Sequence, residues 1–234
     1  MDNSLNGKVV AVTGGFGALG SAVGKVLATR GMQVVLLGRE AAPHLSEESG
    51  NNPIAIGGVD LASPAQTRQA FAEIKTRFGR LDALVNIAGG FRWELIAGGS
   101  ADTWDLMYQM NVKTVLTASE AAIPFLLENG AGRIVNISAM AALKGGLGMG
   151  AYSASKAGVA RLTEALAEEL KQNGVTVNAI LPSTIDTARN RADMPDADFT
   201  QWVKPEQIGS IIAFLLSPDA EAITGALLPV TGRG

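Results

Sequence analysis

Residues 8–13 form a short β-branched apolar run. It meets Gly14, Gly15, Phe16, Gly17, Ala18, Leu19 and Gly20 before apolar residues recur at Leu19, Ala22, Val23, Val26 and Leu27 with the period of a helix. A strand, a glycine turn and an amphipathic helix in that order leave few folds open. Gly15, Gly17 and Gly20 satisfy G-x-G-x-x-G, and in this setting the pattern has a mechanism. The turn lets backbone approach a pyrophosphate, which rests on the helix N-terminus. Gly14, Phe16 and Leu19 belong to the same turn and are candidate cofactor contacts.

The alternation then repeats. Gly31 closes the first helix, and residues 33–37, 54–59, 83–87, 133–137, 175–181 and 226–230 read as six more strands. Between them lie a helix opened by Ser63 and Pro64 and stopped by Gly79, one from Ser100 towards Gly130, one over residues 148–171 and one over residues 205–216. Residues 40–53 and 182–204 read as loops. Alternation of strand and helix without hairpin signals predicts an α/β doubly wound parallel sheet of seven strands with helices on both faces. A length of 234 residues, with 47% apolar and 18% charged residues, fits one domain over residues 1–234 with a large core.

In such sheets ligands gather at the carboxyl ends of the strands. Gly38 and Arg39 follow the second strand, where an acidic residue would bind a ribose 2′-hydroxyl and an arginine accommodates a 2′-phosphate, so NADP(H) is expected ahead of NAD(H). The alternative is a solvated surface arginine. Asp60 and Leu61 end the third strand; Asp60 touches adenine or caps a turn. Asn86, Ala88 and Gly89 end the fourth, where small residues let the chain pass close to a cofactor.

The chemistry is expected at Tyr152 and Lys156. Four residues apart on a helix, they share one face, and a phenol that titrates near ~10 needs a positive neighbour to exchange a proton at neutral pH. Ser138 ends the fifth strand, close enough in sequence to approach the tyrosine. Asn111 interrupts an apolar helix face, where it can disturb the helix locally and bind water.

Composition removes other chemistries. A net charge of −3 with no long basic run argues against nucleic acid or anionic membrane and for a small-molecule substrate. The absence of cysteine excludes disulfides and thiolate chemistry, and a single histidine, His44, in a polar loop supports neither a Ser-His-Asp triad nor a metal site. The polar N-terminus shows no signal pattern, and no run approaches the ~18 apolar residues of a membrane span, so a cytoplasmic protein is expected.

With Gly14 to Gly20, Asn86 to Gly89, Asn111, Ser138, Tyr152 and Lys156 in this order, the chain resembles the short-chain dehydrogenase/reductase superfamily over essentially its whole length. The resemblance implies a Rossmann-like core with strand order 3-2-1-4-5-6-7 and hydride transfer involving a nicotinamide. Tyr152 would then be the proton donor, and Ser138 would hold the substrate carbonyl. Lys156 would bind the nicotinamide ribose and lower the tyrosine pKa, and Asn111 would anchor a relay water. By family position Pro182, Thr184, Ile185 and Thr187 would line the nicotinamide and phosphates, although Ser183 stands where the pattern has glycine. Homotetramers or homodimers built on the two long helices are also implied.

A narrower resemblance, through Gly148 to Gly150, residues 181–187, Asn190, Arg191, residues 194–199 and Trp202, is to quinoid dihydropteridine reductases. Ser138 and the Gly38-Arg39 pair depart from that branch and favour general carbonyl reduction. A silent NADP(H)-binding redox sensor is the competing class, but a sensor has no chemical need for Ser138, Tyr152 and Lys156 together. Residues 188–202 are expected to form a mobile substrate lid, with Phe91, Arg92, Trp93, Arg189, Arg191, Met194, Phe199 and Trp202 bordering the substrate.

Overall fold

The computed structural model describes residues 4–43 and 52–233, so His44 and most of the 40–53 loop lie outside the described residues. The strands are β1 (Val9–Thr13), β2 (Gln33–Leu37), β3 (Ile54–Ile56), β4 (Ala83–Asn86), β5 (Gly132–Ile137), β6 (Val175–Pro182) and β7 (Leu227–Val230). The helices are α1 (Ala18–Thr29), α2 (Pro64–Phe78), α3 (Ala101–Met107), α4 (Thr114–Glu128), α5 (Gly150–Leu170), α6 (Ala188–Asp193) and α7 (Pro205–Leu216). All seven strands form one sheet in the order β3-β2-β1-β4-β5-β6-β7, every pair parallel. This is the Rossmann-like order that the resemblance implied.

The core follows from the period-two alternation of strand side chains. Val10, Val12, Val34, Leu36, Val85 and Val135 face α1 and α7 through Val23, Leu27, Ile208 and Ile212. Their neighbours Val9, Ala11, Val35, Leu37, Leu84 and Ile134 face α2, α4 and α5 through Phe71, Ile74, Leu126 and Leu166. Both faces being covered explains why the strands read as continuous apolar runs.

Three boundaries differ from the sequence reading. β3 stops at Ile56 because Gly58, at φ 73°, turns the chain and the amides of Gly58 and Val59 bond back to the carbonyls of Glu40 and Gly38. β4 stops at Asn86 because the amides of Ile87 and Ala88 turn to the Thr13 hydroxyl, at 3.0 and 3.2 Å. Within the expected loop over 182–204, Thr187 accepts from the amide of Asn190 and starts α6, while Phe199–Gln201 forms a 3-10 turn.

The topology leaves a cleft at the carboxyl edge between β1 and β4, where the chain leaves in opposite directions along the sheet. Among the described residues no helix is long and apolar enough to cross a membrane, and no cluster of His, Cys, Asp or Glu is placed to hold a metal.

Candidate active site

β5 delivers Ser138 to the carboxyl edge of the sheet, where its N–H is held by the carbonyl of Ile180 at 2.9 Å. Its buried hydroxyl donates to the carbonyl of Lys156 at 2.8 Å, and the Lys156 ammonium donates back to the carbonyl of Ile137 at 2.9 Å. Strand end and helix are thus joined by two reciprocal bonds. Tyr152 stands one turn before Lys156 on α5, with the ammonium 6.0 Å from its ring centre. Phe91, from the loop after β4, meets the tyrosine ring edge-on, with centroids 5.0 Å apart and planes at 85°.

Burial dominates the electrostatics. It pushes the Tyr152 phenol up to about 12 and the Lys156 ammonium down to about 8, because a low-polarity site disfavours each charged form. In this structure burial therefore sets the direction of the Tyr152 shift. The Lys156 ammonium is turned to a main-chain carbonyl, and desolvation is the larger effect on the phenol.

Asn111 lies in a π-helical turn, Tyr108–Lys113, between α3 and α4. Its carbonyl oxygen accepts from the Gly90 amide at 2.8 Å, while its amide donates to the Gly90 carbonyl at 3.0 Å and to the Ser155 hydroxyl at 2.9 Å. Ser155 in turn donates to the carbonyl of Tyr152 at 2.7 Å. Both amide hydrogens are committed, so the side chain clamps the β4 loop to the catalytic helix.

A second buried polar chain escaped the sequence reading. Thr13 donates to the Asn86 carbonyl oxygen at 3.4 Å, the Asn86 amide donates to Asn136 at 2.9 Å, and the Asn136 amide donates to Thr163 at 2.9 Å. Thr163 closes on the carbonyl of Val159 at 2.8 Å. Asn136, a polar residue inside the apolar run of β5, was the visible signal.

The glycine turn fits a dinucleotide. Gly17 is the N-cap of α1 and offers no side chain, so the first-turn amides of a 12-residue helix are left to an incoming anion. The other glycines serve packing. A Cβ on Gly14 would stand 2.8 Å from the Ala88 nitrogen and one on Gly15 would stand 2.6 Å from the Leu36 Cβ. A Cβ on Gly38 would overlap the Phe16 ring, so that ring lies across the start of the β2 loop, and Leu19 packs against the core. Arg39 beside it is exposed and forms no ion pair among the described residues. Gly89 passes the site closely enough that a Cβ would sit 3.4 Å from the Lys156 nitrogen.

Other candidates sit less favourably. The exposed Asp60 carboxylate accepts from the Ala62 amide at 3.0 Å, which is the turn-capping alternative, and the Leu61 side chain is buried in the core. Pro182 ends β6. The Thr184 carbonyl accepts from Val203, the Ile185 carbonyl accepts from the Asn190 side chain, and Thr187 caps α6. In the 188–202 segment, Arg191 grips both carboxylate oxygens of Asp186 and lies 4.7 Å from the Phe199 ring centre, and Phe199 packs on Trp202 at 4.8 Å. That pairing holds the Asp186 carboxyl below its ordinary range. The segment is more regular than its sequence suggested.

Residues 8–198 match the family model described as short chain dehydrogenase. The chain is 31% identical over 240 residues to the 3-oxoacyl-(acyl-carrier-protein) reductase FabG of Vibrio cholerae, covering 98% of each protein. It is 32% identical over 239 residues to the acetoacetyl-CoA reductase of Allochromatium vinosum, covering 96% of this chain and 97% of that one. Among solved structures, the aldohexose dehydrogenase of Thermoplasma acidophilum matches with a TM-score of 0.86 and 28% identity over 99% of this chain and 95% of its own. A family match from the first strand to the far side of the cleft, with relatives matched end to end, makes this chain a member of the short-chain dehydrogenase family, an oxidoreductase by descent.

Proposed function

We propose that the protein reduces the carbonyl of a small-molecule ketone with NADPH, a reaction that an alcohol and NADP⁺ would run in reverse. The observation that carries this reading is the convergence of Ser138, Tyr152 and Lys156 on one sheet edge, with Lys156 bonded across to Ile137. When bound, a reduced nicotinamide supplies the hydride that the carbonyl carbon accepts. Tyr152 supplies the other half of the product. Held protonated by burial, its phenol donates to the carbonyl oxygen and transfers its proton as alkoxide character develops there. An alkoxide is far more basic than a phenolate, so a phenol near 12 still serves as the acid.

Lys156, pushed down to about 8, is mainly an ammonium at neutral pH and steadies the phenolate left behind. Ser138 rotates its hydroxyl from the Lys156 carbonyl to the substrate oxygen. The uncapped start of α1 holds the pyrophosphate, and Arg39 favours the 2′-phosphate. Relatives whose names specify reduction of a 3-oxoacyl group and of acetoacetyl-CoA support a ketone as substrate. Exposed Leu116 and Leu127, three turns apart on α4, support a homo-oligomer built on that face.

The test is a panel of ketones, 3-oxoacyl thioesters, quinones and quinoid dihydropterin, followed by loss of reduced-nicotinamide absorbance. NADPH-dependent turnover of a ketone that disappears in Tyr152→Phe is the expected result. Turnover confined to the pterin would move the assignment to the other branch, and nucleotide binding without turnover of any member would favour the sensor.

A further inference from the structure

The loop after β4 contains more apolar surface than a solvated connection needs. Phe91 and Trp93 are each about half exposed, at 50% and 53%, and Ile96 more so, as is Leu147 from the loop that precedes α5. Scattered exposed apolar residues are ordinary, but a contiguous group bordering a reacting side chain marks a ligand surface.

This surface is rigidly built. Gly148 turns at φ 68°, and a Cβ there would overlap the Trp93 indole, so the ring rests directly on the main chain four residues ahead of Tyr152. The next residue, Glu94, donates its amide to the Gly148 carbonyl at 2.8 Å, and its carboxylate accepts from the Ser100 amide at 3.1 Å. That second bond ties the loop to the start of α3, whose Trp104 packs with Ile96 beside Gly150. Phe91 is fixed from the other side by its edge-on contact with Tyr152. Two aromatic rings are therefore held in place with half of their surface open.

Of the charges nearby, Arg92 stands exposed between the two rings and forms no ion pair among the described residues, whereas the arginines across from it are matched. Arg191 is bound to Asp186 and Arg189 lies 3.7 Å from Asp193, so the two arginines of the opposite segment make no demand for an anionic substrate.

Resting on the ketone-reductase reading, we infer that Phe91 and Trp93 form a preset aromatic wall selecting ketones with a planar aryl group on the carbonyl carbon. Rings fixed in advance lose little freedom on binding, and aromatic pairs gain more than their buried area when they meet edge-on or offset. Saturated groups of equal size gain only the area.

The experiment compares kcat/KM for phenyl methyl ketone and cyclohexyl methyl ketone, which match in carbon count and charge and differ in planarity. Wild type is expected to favour the aryl ketone by about tenfold, mostly through KM, and Trp93→Leu to bring the ratio close to one. Phe91→Leu should reduce the ratio in the same sense. A wild-type ratio near one, a ratio unchanged in Trp93→Leu, or a preference for straight-chain 3-oxoacyl thioesters over both ketones would overturn the wall while leaving the reductase intact. If no member of the wider panel is turned over, the reductase reading fails by itself. Calorimetric binding of the same two ketones to wild type and Trp93→Leu then decides the wall, equal affinities overturning it and an aryl preference lost in the variant upholding it.

Discussion

Lys156 reaches back from α5 to the carbonyl of Ile137, 2.9 Å away, so the ammonium is tied to the strand that delivers Ser138. The tie fixes a charge in a buried place, and that has a cost which depends on pH. Below about 8 the folded protein holds Lys156 charged against burial. Between 8 and its ordinary 10.5 the folded state is neutral there while the unfolded chain is still protonated, so stability rises with pH; above both values the contribution vanishes. Relative to Lys156→Met, wild type is therefore expected to gain on the order of 3 kcal/mol between pH 7 and pH 10.5. Denaturant unfolding of both proteins across that range checks it. A constant difference would show that the lysine is not desolvated.

Tyr152→Phe should lower turnover by roughly 10²- to 10⁴-fold while nucleotide binding persists. Because burial raises the phenol to about 12, the phenolate needed for the reverse reaction grows with pH. Alcohol oxidation is expected to rise about tenfold per pH unit from about pH 6 to 8, below the range in which Lys156 loses its charge, whereas ketone reduction stays flat over neutral pH. Oxidation that levels off near neutrality would mean that the bound cofactor and Lys156 together bring the phenol down.

Arg39→Asp is expected to shift preference from NADPH to NADH, since it sets a carboxylate against a 2′-phosphate in one case and a 2′-hydroxyl in the other. The shift should be ~1 to 3 kcal/mol in relative affinity, read by titration of both nucleotides. A wild type that already prefers NADH would make Arg39 a plain surface residue.

Replacing Asn111 with Leu leaves the amide and carbonyl of Gly90 and the Ser155 hydroxyl without their partner. A loss of about 1 to 3 kcal/mol in stability is expected. Lowered cofactor affinity should accompany it, because Gly89 runs beside Lys156. Unchanged cofactor affinity in a folded variant would confine the asparagine to stability.

The 188–202 segment is expected to gain hydrogen-exchange protection when cofactor and ketone bind together. The gain should fall on α6 and the Phe199–Gln201 turn, whose side chains are held by Asp186, Asp198 and Trp202. Protection identical in the apo, nucleotide-bound and ternary forms would make it a fixed surface element.

The strands were legible as continuous apolar runs and the helix that pairs Tyr152 with Lys156 by its 3.6-residue period, while the order of the strands came with the family resemblance. The interior of 182–204 was not legible, because α6 begins with a cap at Thr187 and is held by an Asp186–Arg191 pair, neither of which leaves an apolar stripe to read. Asp60 was ambiguous for another reason. A carboxylate at a strand end can cap a turn or meet a ligand with the same local sequence, and the Ala62 amide at 3.0 Å shows the first. The upward shift at Tyr152 was hidden in the same way, since desolvation depends on what covers a residue and no spacing records that.

The hydrogen bonds from Thr13 through Asn86 and Asn136 to Thr163 all donate in one direction, ending on the carbonyl of Val159. They form a one-way thread across three strands into the catalytic helix. The amides of Ile87 and Ala88 feed it at one end and a helix carbonyl receives it at the other, so its sense is set from outside. Turning over either asparagine would place oxygen against oxygen on one side and hydrogen against hydrogen on the other. The thread consequently has no half-reversed state, and the glycine turn after β1 and α5 are held in a single relative register by polar groups that do not titrate at neutral pH.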